Sequence, residues 1–166
     1  ISKFDSGKVK YSFERIELYG MIEEIYLALK IYADYHHITL VNKCDDSIIY
    51  ADAVWIKEAI ENIVKNVIEH MEEKCSIVIK SKTINDFTVV YIDDNSSLFI
   101  NISSIDFERF QSSQSGIGIG LHLCKQIIQT HLGDLLVEQS PFGGVRFVIK
   151  IPNKPQKNKI KFTKTL

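Results

Sequence analysis

Two long helix-periodic segments, each followed by two short strand-like segments, constrain the fold of this chain more than any other feature. Apolar residues recur every three or four positions from Tyr19 to about His36, and again from about Ala53 to Glu73. The first segment is followed by ITLVNK and SIIYAD, and the second by SIVIKSKTI and FTVVYIDD around a turn at Asn85. This repeated order of one helix and two strands predicts an α/β fold.

The remaining segments extend the same architecture. KYSFERIEL has the pattern of a short strand, and a third helix is predicted from Gly120 to about His131. LLVEQS and VRFVIKIP flank the turn residues SPFGG and predict a second hairpin, whereas residues 95–115 predict a loop with a turn of helix near Phe107. The predicted fold is a two-layer sandwich in which about three helices cover one face of a mixed, largely antiparallel sheet.

Composition narrows the class of protein. With 166 residues, 45% of them hydrophobic, the chain is long enough for one domain with a substantial core. A formal net charge of −1 argues against wholesale nucleic-acid binding. Cys44, Cys75 and Cys124 form no CxxC pair, which indicates reduced thiols of a cytosolic protein. No apolar run has membrane-spanning length, and the missing initial Met predicts a fragment of a longer protein.

A glycine-rich stretch, SGIGIGL, leads into the third helix. Gly116, Gly118 and Gly120 follow the polar residues QSSQS rather than a strand, and no Gly-Lys-Ser/Thr comes after them. These features exclude a Rossmann dinucleotide fingerprint and a Walker phosphate loop. Two interpretations remain: a loop that brings phosphate to the free N–H groups of a helix start, or a hinge that allows tight helix packing.

Two other groups of polar residues bear on this choice. Glu58, Asn62 and Asn66 are spaced i, i+4 and i+8 on the second helix, beside its apolar stripe. An amide oxygen is a suitable ligand for Mg²⁺, although the same spacing also occurs on a solvated helix face. At the end of the strand YIDDN, a carboxylate can accept a hydrogen bond from an exocyclic amine such as that of adenine, although this stretch alone is also a common turn.

In this order, the three groups resemble the ATP-binding catalytic domain of sensor histidine kinases, within the superfamily shared with gyrase, chaperone and mismatch-repair ATPases. ENIVKNVIEH resembles the N box of these kinases, IDDNSSLFI a damaged first glycine box, FERF the F box and SGIGIGL the second glycine box. THLGDLLVEQSPFGGVRFVIKIP is similar to their closing hairpin. The resemblance covers nearly the whole chain and implies a Bergerat-type ATP-binding fold.

The resemblance also implies the roles of individual residues. Asn66 would bind Mg²⁺ with support from Asn62, and Asp94 would bind adenine. Asp93 would restore the usual spacing to FERF, but strand alternation places Asp94 on the same face as Ile92 and favours it. The other residues implied at the ATP site are Glu69, His70, Gly116, Gly118, Gly120 and Leu121, and the implied lid anchors are Phe107 and Phe110.

The residue at position 62 indicates the type of reaction. ATP-hydrolysing members of the superfamily carry a Glu there as general base, whereas the amide of Asn62 cannot take a proton. The resemblance therefore implies a protein-histidine kinase, which donates the γ-phosphoryl group of Mg²⁺-ATP to a His. None of the five histidines has the sequence context of the phosphoacceptor, so the acceptor is expected upstream of this chain, with a response regulator Asp as the next acceptor.

The expected organisation follows from the same resemblance. Residues 1–9 would end the dimerisation and phosphoacceptor domain, residues 10–152 would form the ATP-binding domain, and residues 153–166 would form a flexible, Lys-rich tail. The full-length protein is expected to be a homodimeric, membrane-anchored bacterial sensor. The chain itself would be a monomeric cytoplasmic part of it.

Several positions depart from the family pattern. Ser96 and Leu98 replace glycines of the first glycine box, Glu69 stands where a basic residue is common, and Val145 stands where a Thr hydroxyl is common near adenine. The lid sequence QSSQS also lacks a Lys or Arg. Each departure predicts weaker nucleotide binding. The alternative function is therefore a degenerate module with weak or no nucleotide binding that acts through protein contacts.

Overall fold

The computed structural model describes residues 10–71, 74–96 and 120–156. In chain order the elements are β1 (Phe13–Glu17), α1 (Leu18–Tyr35), β2 (Thr39–Lys43), β3 (Ile48–Asp52), α2 (Ala53–His70), β4 (Ser76–Ile84), β5 (Phe87–Asp94), α3 (Leu121–Thr130), β6 (Asp134–Gln139) and β7 (Val145–Pro152). This order agrees with the predicted one. α2 ends earlier than predicted, because Met71 already has an extended backbone although its side chain still packs against the core.

The strands form two sheets of unequal size. β1 and β3 make a two-stranded antiparallel sheet, and the other strands make a five-stranded sheet in the order β2-β4-β5-β7-β6. β2 and β4 run parallel, and the remaining neighbours in the large sheet run antiparallel. The sheet is therefore mixed and largely antiparallel, which confirms the predicted fold class.

Three helices cover one face of the large sheet, with α2 between α1 and α3. The buried residues of α2 follow the predicted helical stripe: Ile56, Ala59, Ile60, Ile63, Val64, Val67 and Ile68. Alternate residues of β5 and β7 face this layer, as shown by the paired and buried Ile92 and Phe147. Burial of each large apolar side chain contributes about 1.5–3 kcal/mol, so this shared core holds the helices on the sheet.

The turn between β4 and β5 receives the chain after β7. Asn85 and Asp86 form a two-residue turn, and Asn85 has a φ of 53°, a left-handed conformation that Asn tolerates. The backbone N–H of Asn153 donates to the carbonyl of Asp86 at 2.9 Å, and Lys154 pairs with the Asp86 carboxylate at 3.2 Å. The first residues of the expected tail are therefore attached to the sheet.

The start of α2 is joined to the end of α3. The Asp52 carboxylate caps α2 by accepting hydrogen bonds from the N–H groups of Val54 at 3.1 Å and Trp55 at 3.2 Å. The N–H of Asp52 donates to Nε2 of His131 at 3.1 Å. Because Nε2 accepts, Nδ1 carries the proton and donates to the carbonyl of Ile127 at 2.7 Å. His131 is thus a buried, neutral, fully hydrogen-bonded side chain.

His131 should make the stability of the domain depend on pH. Burial lowers the pKa of His131 below its ordinary value of 6.5, and a protonated ring cannot accept the hydrogen bond from Asp52. The unfolded chain then binds a proton that the folded protein does not bind. The free energy of unfolding should therefore decrease as pH falls below about 6.5, by at most about 1.4 kcal/mol per pH unit from this group.

The variant His131→Gln tests this prediction, because an amide oxygen can accept the Asp52 hydrogen bond and does not titrate. In urea unfolding between about pH 5 and pH 8, we expect a smaller slope for His131→Gln than for the wild type. Equal slopes for the two proteins would contradict the prediction.

Candidate functional site

Asp94, the last residue of β5, lies at one end of the sheet on the helix-covered face. Its side chain is buried, and Ile92, two positions earlier, lies on the same face. Oδ1 of Asp94 accepts hydrogen bonds from the N–H of Ser96 at 3.0 Å and from its hydroxyl at 2.8 Å. Within residues 10–71, 74–96 and 120–156, these two groups of Ser96 are the hydrogen-bond donors to the Asp94 carboxylate, and both contact Oδ1. Oδ2 is therefore the oxygen that can accept a hydrogen bond from a ligand.

The start of β7 leaves room for this carboxylate. A Cβ on Gly144 would stand 1.8 Å from Oδ1 of Asp94 and 2.8 Å from its backbone oxygen, so a larger residue would displace the carboxylate. Asp93 pairs with Arg146, which places Asp94 opposite the apolar, buried Val145 one position further along the two strands. The Asp94 carboxylate thus lies at the end of β5 between Ser96 and the start of β7.

Asp93 faces the other side of the sheet. Its carboxylate forms two bonds with the guanidinium of Arg146, at 2.6 Å from Nε to Oδ1 and at 2.8 Å from Nη2 to Oδ2. The same guanidinium lies 4.3 Å from the ring centroid of Tyr91. Because both oxygens of Asp93 are engaged on the face away from the helices, the geometry favours Asp94 as the carboxylate for a ligand between helices and sheet.

Asn62 and Asn66 lie one turn apart on α2, and both are partly exposed beside the buried stripe. Nδ2 of Asn62 donates to the carbonyl of Glu58 at 2.7 Å, which orients the amide and leaves its oxygen as an acceptor. Partly exposed amide oxygens at the edge of a helix layer are suitable ligands for a hard cation such as Mg²⁺.

α3 packs against α2 and runs antiparallel to it. The end of α3 is bonded to the residue before α2 through His131. Further along, burial and the neighbouring charge of Glu58 raise the pKa of the Cys124 thiol to about 12. Gly120 lies four residues before Cys124, and Asn62 lies four residues after Glu58. Because each residue of a helix advances about 1.5 Å and the two helices are antiparallel, both intervals cover the same distance in the same direction. The amino end of α3 therefore lies level with Asn62.

The first turn of α3 has backbone donors without acceptors in the described part of the chain. Gly120 provides no side-chain cap, and its carbonyl accepts from the N–H groups of Leu123 at 3.0 Å and Cys124 at 3.1 Å. Within residues 120–156 and the other described segments, the N–H groups of Leu121 and His122 have no such acceptor. Donors of this kind, together with the helix dipole, favour phosphate.

Glu69 and His70, at the end of α2, have different surroundings. Oε1 of Glu69 accepts a hydrogen bond at 2.9 Å from the hydroxyl of Tyr32 on α1, whereas His70 is exposed. Burial and this hydrogen bond raise the pKa of Tyr32 to about 12. Glu69 is therefore bonded towards α1. The predicted lid residues Phe107, Phe110, Gly116 and Gly118 lie outside the described residues, as does Leu98.

Sequence patterns did not predict two of the contacts of Asp94. Ser96 was expected only to weaken the first glycine box, but its N–H and hydroxyl both hold the carboxylate. The signal was present, because Asp followed two residues later by Ser is a common turn in which the carboxylate accepts from the later backbone N–H. The contact of Gly144 depends on the β5–β7 register, for which the sequence has no local signal.

These residues fit a magnesium nucleotide. A buried carboxylate with one available oxygen suits the amine of a base, amide oxygens suit Mg²⁺, and free N–H groups at a helix start suit phosphates. The absence of a side chain at Gly144 lets the carboxylate of Asp94 lie against the start of β7. No helix in the described part of the chain is long and apolar enough to cross a membrane.

Known proteins share both the sequence and the fold. A family model for histidine kinase-, DNA gyrase B- and HSP90-like ATPases matches residues 51–155. The alginate biosynthesis sensor protein KinB of Pseudomonas aeruginosa is 24% identical over 157 residues, which are 91% of this chain and 26% of that protein. Sporulation kinase B of Bacillus subtilis is 28% identical over 146 residues, which are 86% of this chain and 34% of that protein. The chain thus spans only a minor part of these relatives.

Two solved structures have the same fold. The catalytic domain of the histidine kinase ThkA, in a nucleotide-free form, matches with a TM-score of 0.73 and 27% identity, over 86% of this chain and 96% of that chain. ThkA in complex with the response regulator protein TrrA matches with a TM-score of 0.66 and 24% identity, over 88% of this chain and 43% of that chain. The family match includes α2, β5, α3 and β7, the elements that carry the site. The chain therefore belongs to the histidine kinase-, DNA gyrase B- and HSP90-like ATPase family and has the fold of a histidine kinase catalytic domain.

Proposed function

We propose that this chain is the ATP-binding catalytic domain of a two-component sensor histidine kinase, and that its site binds Mg²⁺-ATP. The observation that carries the proposal is the buried carboxylate of Asp94, which Ser96 holds at Oδ1 and whose Oδ2 has no donor among residues 10–71, 74–96 and 120–156. Oδ2 accepts a hydrogen bond from the exocyclic amine of adenine. Residues 10–152 form this domain, and residues 1–9 belong to the end of the dimerisation and phosphoacceptor domain.

The phosphates lie between α2 and the start of α3. The N–H groups of Leu121 and His122 donate to phosphate oxygens at the positive end of the helix dipole. Gly116, Gly118 and Gly120 allow the lid to approach the phosphates closely, while Phe107 and Phe110 anchor the lid. Glu69 and His70 border the site at the end of α2.

Asn66 binds Mg²⁺ through its amide oxygen, and Asn62 supports it from the preceding turn. When bound, the metal neutralises charge on the phosphate oxygens during transfer. Because neither amide can take a proton from water, the site favours transfer to an incoming nucleophile over hydrolysis. A nitrogen of a His side chain upstream of this chain forms the new bond to the γ-phosphorus, the bond from this phosphorus to the bridging oxygen breaks, and ADP leaves.

The variant Asn66→Ala tests the metal site. We expect its Kd for ATP in the presence of Mg²⁺ to rise about tenfold, towards the value without Mg²⁺, because the metal loses its protein ligand. The matched control is Glu61→Ala on the same helix, next to the asparagine stripe, which should keep the full effect of Mg²⁺. An Asn66→Ala variant that retains the wild-type Mg²⁺ dependence in calorimetry would contradict the assignment.

The partners follow from the proposed reaction. The γ-phosphoryl group passes to a His of the dimerisation domain of the same protein and then to an Asp of a response regulator. The structure of ThkA with TrrA supports a response regulator as partner. The full protein is a homodimeric membrane-anchored sensor, with this domain in the cytoplasm.

The longer protein tests the function as a whole. Incubation with γ-labelled Mg²⁺-ATP should label a His, with the phosphorus–nitrogen bond stable in base and cleaved in acid. Asp94→Asn in the same protein should abolish the label. A protein that binds ATP without forming phosphohistidine would contradict the kinase proposal.

A degenerate module that acts through protein contacts is the second candidate. The observation that favours it is the buried, apolar Val145 opposite Asp94, where the family often has a Thr hydroxyl. ATP binding by the wild-type domain separates the two candidates.

A further inference from the structure

We propose that Tyr32 is a positioning residue, which holds the carboxylate of Glu69 on the α1 side of α2 and away from the phosphates of bound ATP. The inference rests on the proposed function, since it concerns the phosphates of the same nucleotide. It goes beyond that function because it assigns a role in binding to α1, a helix to which the proposed function gives no contact with ATP.

Glu69 lies on the same face of α2 as the two asparagines. Asn62, Asn66 and Glu69 are spaced i, i+4 and i+7, which places their side chains along one side of the helix. Because Asn66 is the proposed ligand of Mg²⁺, Glu69 follows the proposed metal site by about one turn. A carboxylate that pointed from this position towards the nucleotide would repel the phosphate oxygens and weaken binding.

A hydrogen bond from α1 directs this carboxylate away from the proposed phosphate site. The hydroxyl of Tyr32 donates to Oε1 of Glu69 at 2.9 Å. α2 lies between α1 and α3, and the phosphates are proposed to lie on the α3 side of α2. Both side chains are partly buried, which strengthens the hydrogen bond relative to one at the surface. The bond therefore holds a negative charge on the side of α2 opposite to the phosphates.

Lys65 adds a positive charge to the same side of α2. Its Nζ lies 5.6 Å from the centroid of the Tyr32 ring, and Lys65 precedes Glu69 by four residues, so the two side chains are neighbours on the helix surface. Burial and the hydrogen bond to Glu69 raise the pKa of Tyr32 to about 12, so the hydroxyl remains a donor at neutral pH. Tyr32 thus acts through Glu69 and offsets the effect of an acid at a position where a basic residue is common.

The variant Tyr32→Phe tests the proposal, because it removes the hydroxyl and keeps the ring. The Kd for ATP is measured by calorimetry in Mg²⁺, with thermal unfolding to show that each variant is folded. At low salt we expect the Kd of Tyr32→Phe to rise about fivefold, because the freed carboxylate can turn towards the phosphates, and we expect a smaller rise at high salt. Glu69→Gln introduced into Tyr32→Phe removes that charge and should return the Kd to within about twofold of the wild type.

Two single variants are the matched controls. Tyr35→Phe removes the same group from another tyrosine of α1, which is 79% exposed, and should keep the wild-type Kd for ATP. Glu69→Gln alone should change the Kd by less than about twofold, because the carboxylate of the wild type is already held away from the phosphates.

The outcomes separate this proposal from the proposed function. A Tyr32→Phe domain with the wild-type Kd would overturn the positioning role and leave the ATP site intact. A loss of affinity that Glu69→Gln does not reverse would overturn it in favour of a structural role. Tighter binding of Mg²⁺-ATP by Tyr32→Phe would also overturn it, and would indicate that the freed Glu69 binds the metal. A wild-type domain that does not bind ATP would overturn both proposals.

Discussion

Replacement of Asp94 by Asn is expected to raise the Kd for ATP at least about 100-fold, or ~2.7 kcal/mol. The reason lies in the donors that already contact this side chain. The N–H and hydroxyl of Ser96 both point at Oδ1, so the introduced amide would turn its oxygen towards them. Its NH₂ group would then face the amine of adenine, donor against donor, in a buried site.

The neighbouring residue provides the matched control for this prediction. Asp93→Asn is the same chemical change one position earlier, but Asp93 lies on the opposite face in its bond with Arg146. Under conditions where both variants are folded, calorimetry should give Asp93→Asn an ATP affinity within about threefold of the wild type. Loss of ATP binding in Asp93→Asn, with normal binding in Asp94→Asn, would show that Asp93 is the carboxylate that binds adenine.

Arg146→Met is expected to lower the free energy of unfolding by about 3 kcal/mol. Asp93 is 0% exposed, and Arg146, which is 19% exposed, supplies both bonds to its carboxylate. Removal of the guanidinium leaves a buried carboxylate without its charged partner. The free-energy penalty of this unpaired charge is larger than the net stabilisation that the ion pair contributes. This expected loss is at the lower end of the range for breaking a buried ion pair, because the guanidinium retains some contact with water.

Two further variants check this stability prediction by urea unfolding. Glu138→Gln removes the other, exposed acid near Arg146, at 3.7 Å and 55% exposed, and should cost less than about 1 kcal/mol. Asp93→Asn introduced into Arg146→Met should recover part of the loss, because a buried amide costs less than a buried carboxylate. An Arg146→Met domain as stable as the wild type would contradict the account of the pair.

The order of elements was predictable because periodicity is a local property of the sequence. The stripe from Ile56 to Val67 predicted α2, and Asn85 predicted the turn between β4 and β5. The pairing of β2 with β4 and of β1 with β3 was not predictable in the same way. Strand pairing joins residues that are far apart in sequence, and nothing in the short strand β3 marks its separate sheet.

The site shows the same division between local and long-range information. Strand alternation alone places Asp94 on the face of Ile92, and helical spacing alone places Asn62 and Asn66 on one stripe. The closeness of Gly144 to Asp94 and the level of α3 beside Asn62 depend on tertiary packing. The roles of these residues in binding ATP remain predictions, which the variants above test.

His131 illustrates a residue whose environment the sequence did not indicate. It lies at the end of an amphipathic helix, and both of its ring nitrogens are hydrogen-bonded in the interior. The partner of Nε2 is the backbone of Asp52, which lies 79 residues earlier in the chain. No local pattern signals a side chain that joins two helix ends across such a distance.

Calorimetric titration of the wild-type domain with ATP in the presence of Mg²⁺ tests the central claim most directly. We expect saturable binding at one site, together with a stabilisation of about 2.7 kcal/mol when ATP is at 100 times its Kd. Absence of both heat and thermal stabilisation at millimolar ATP would contradict an ATP site at Asp94. That result would favour the alternative, a domain that has kept the fold and acts through protein contacts.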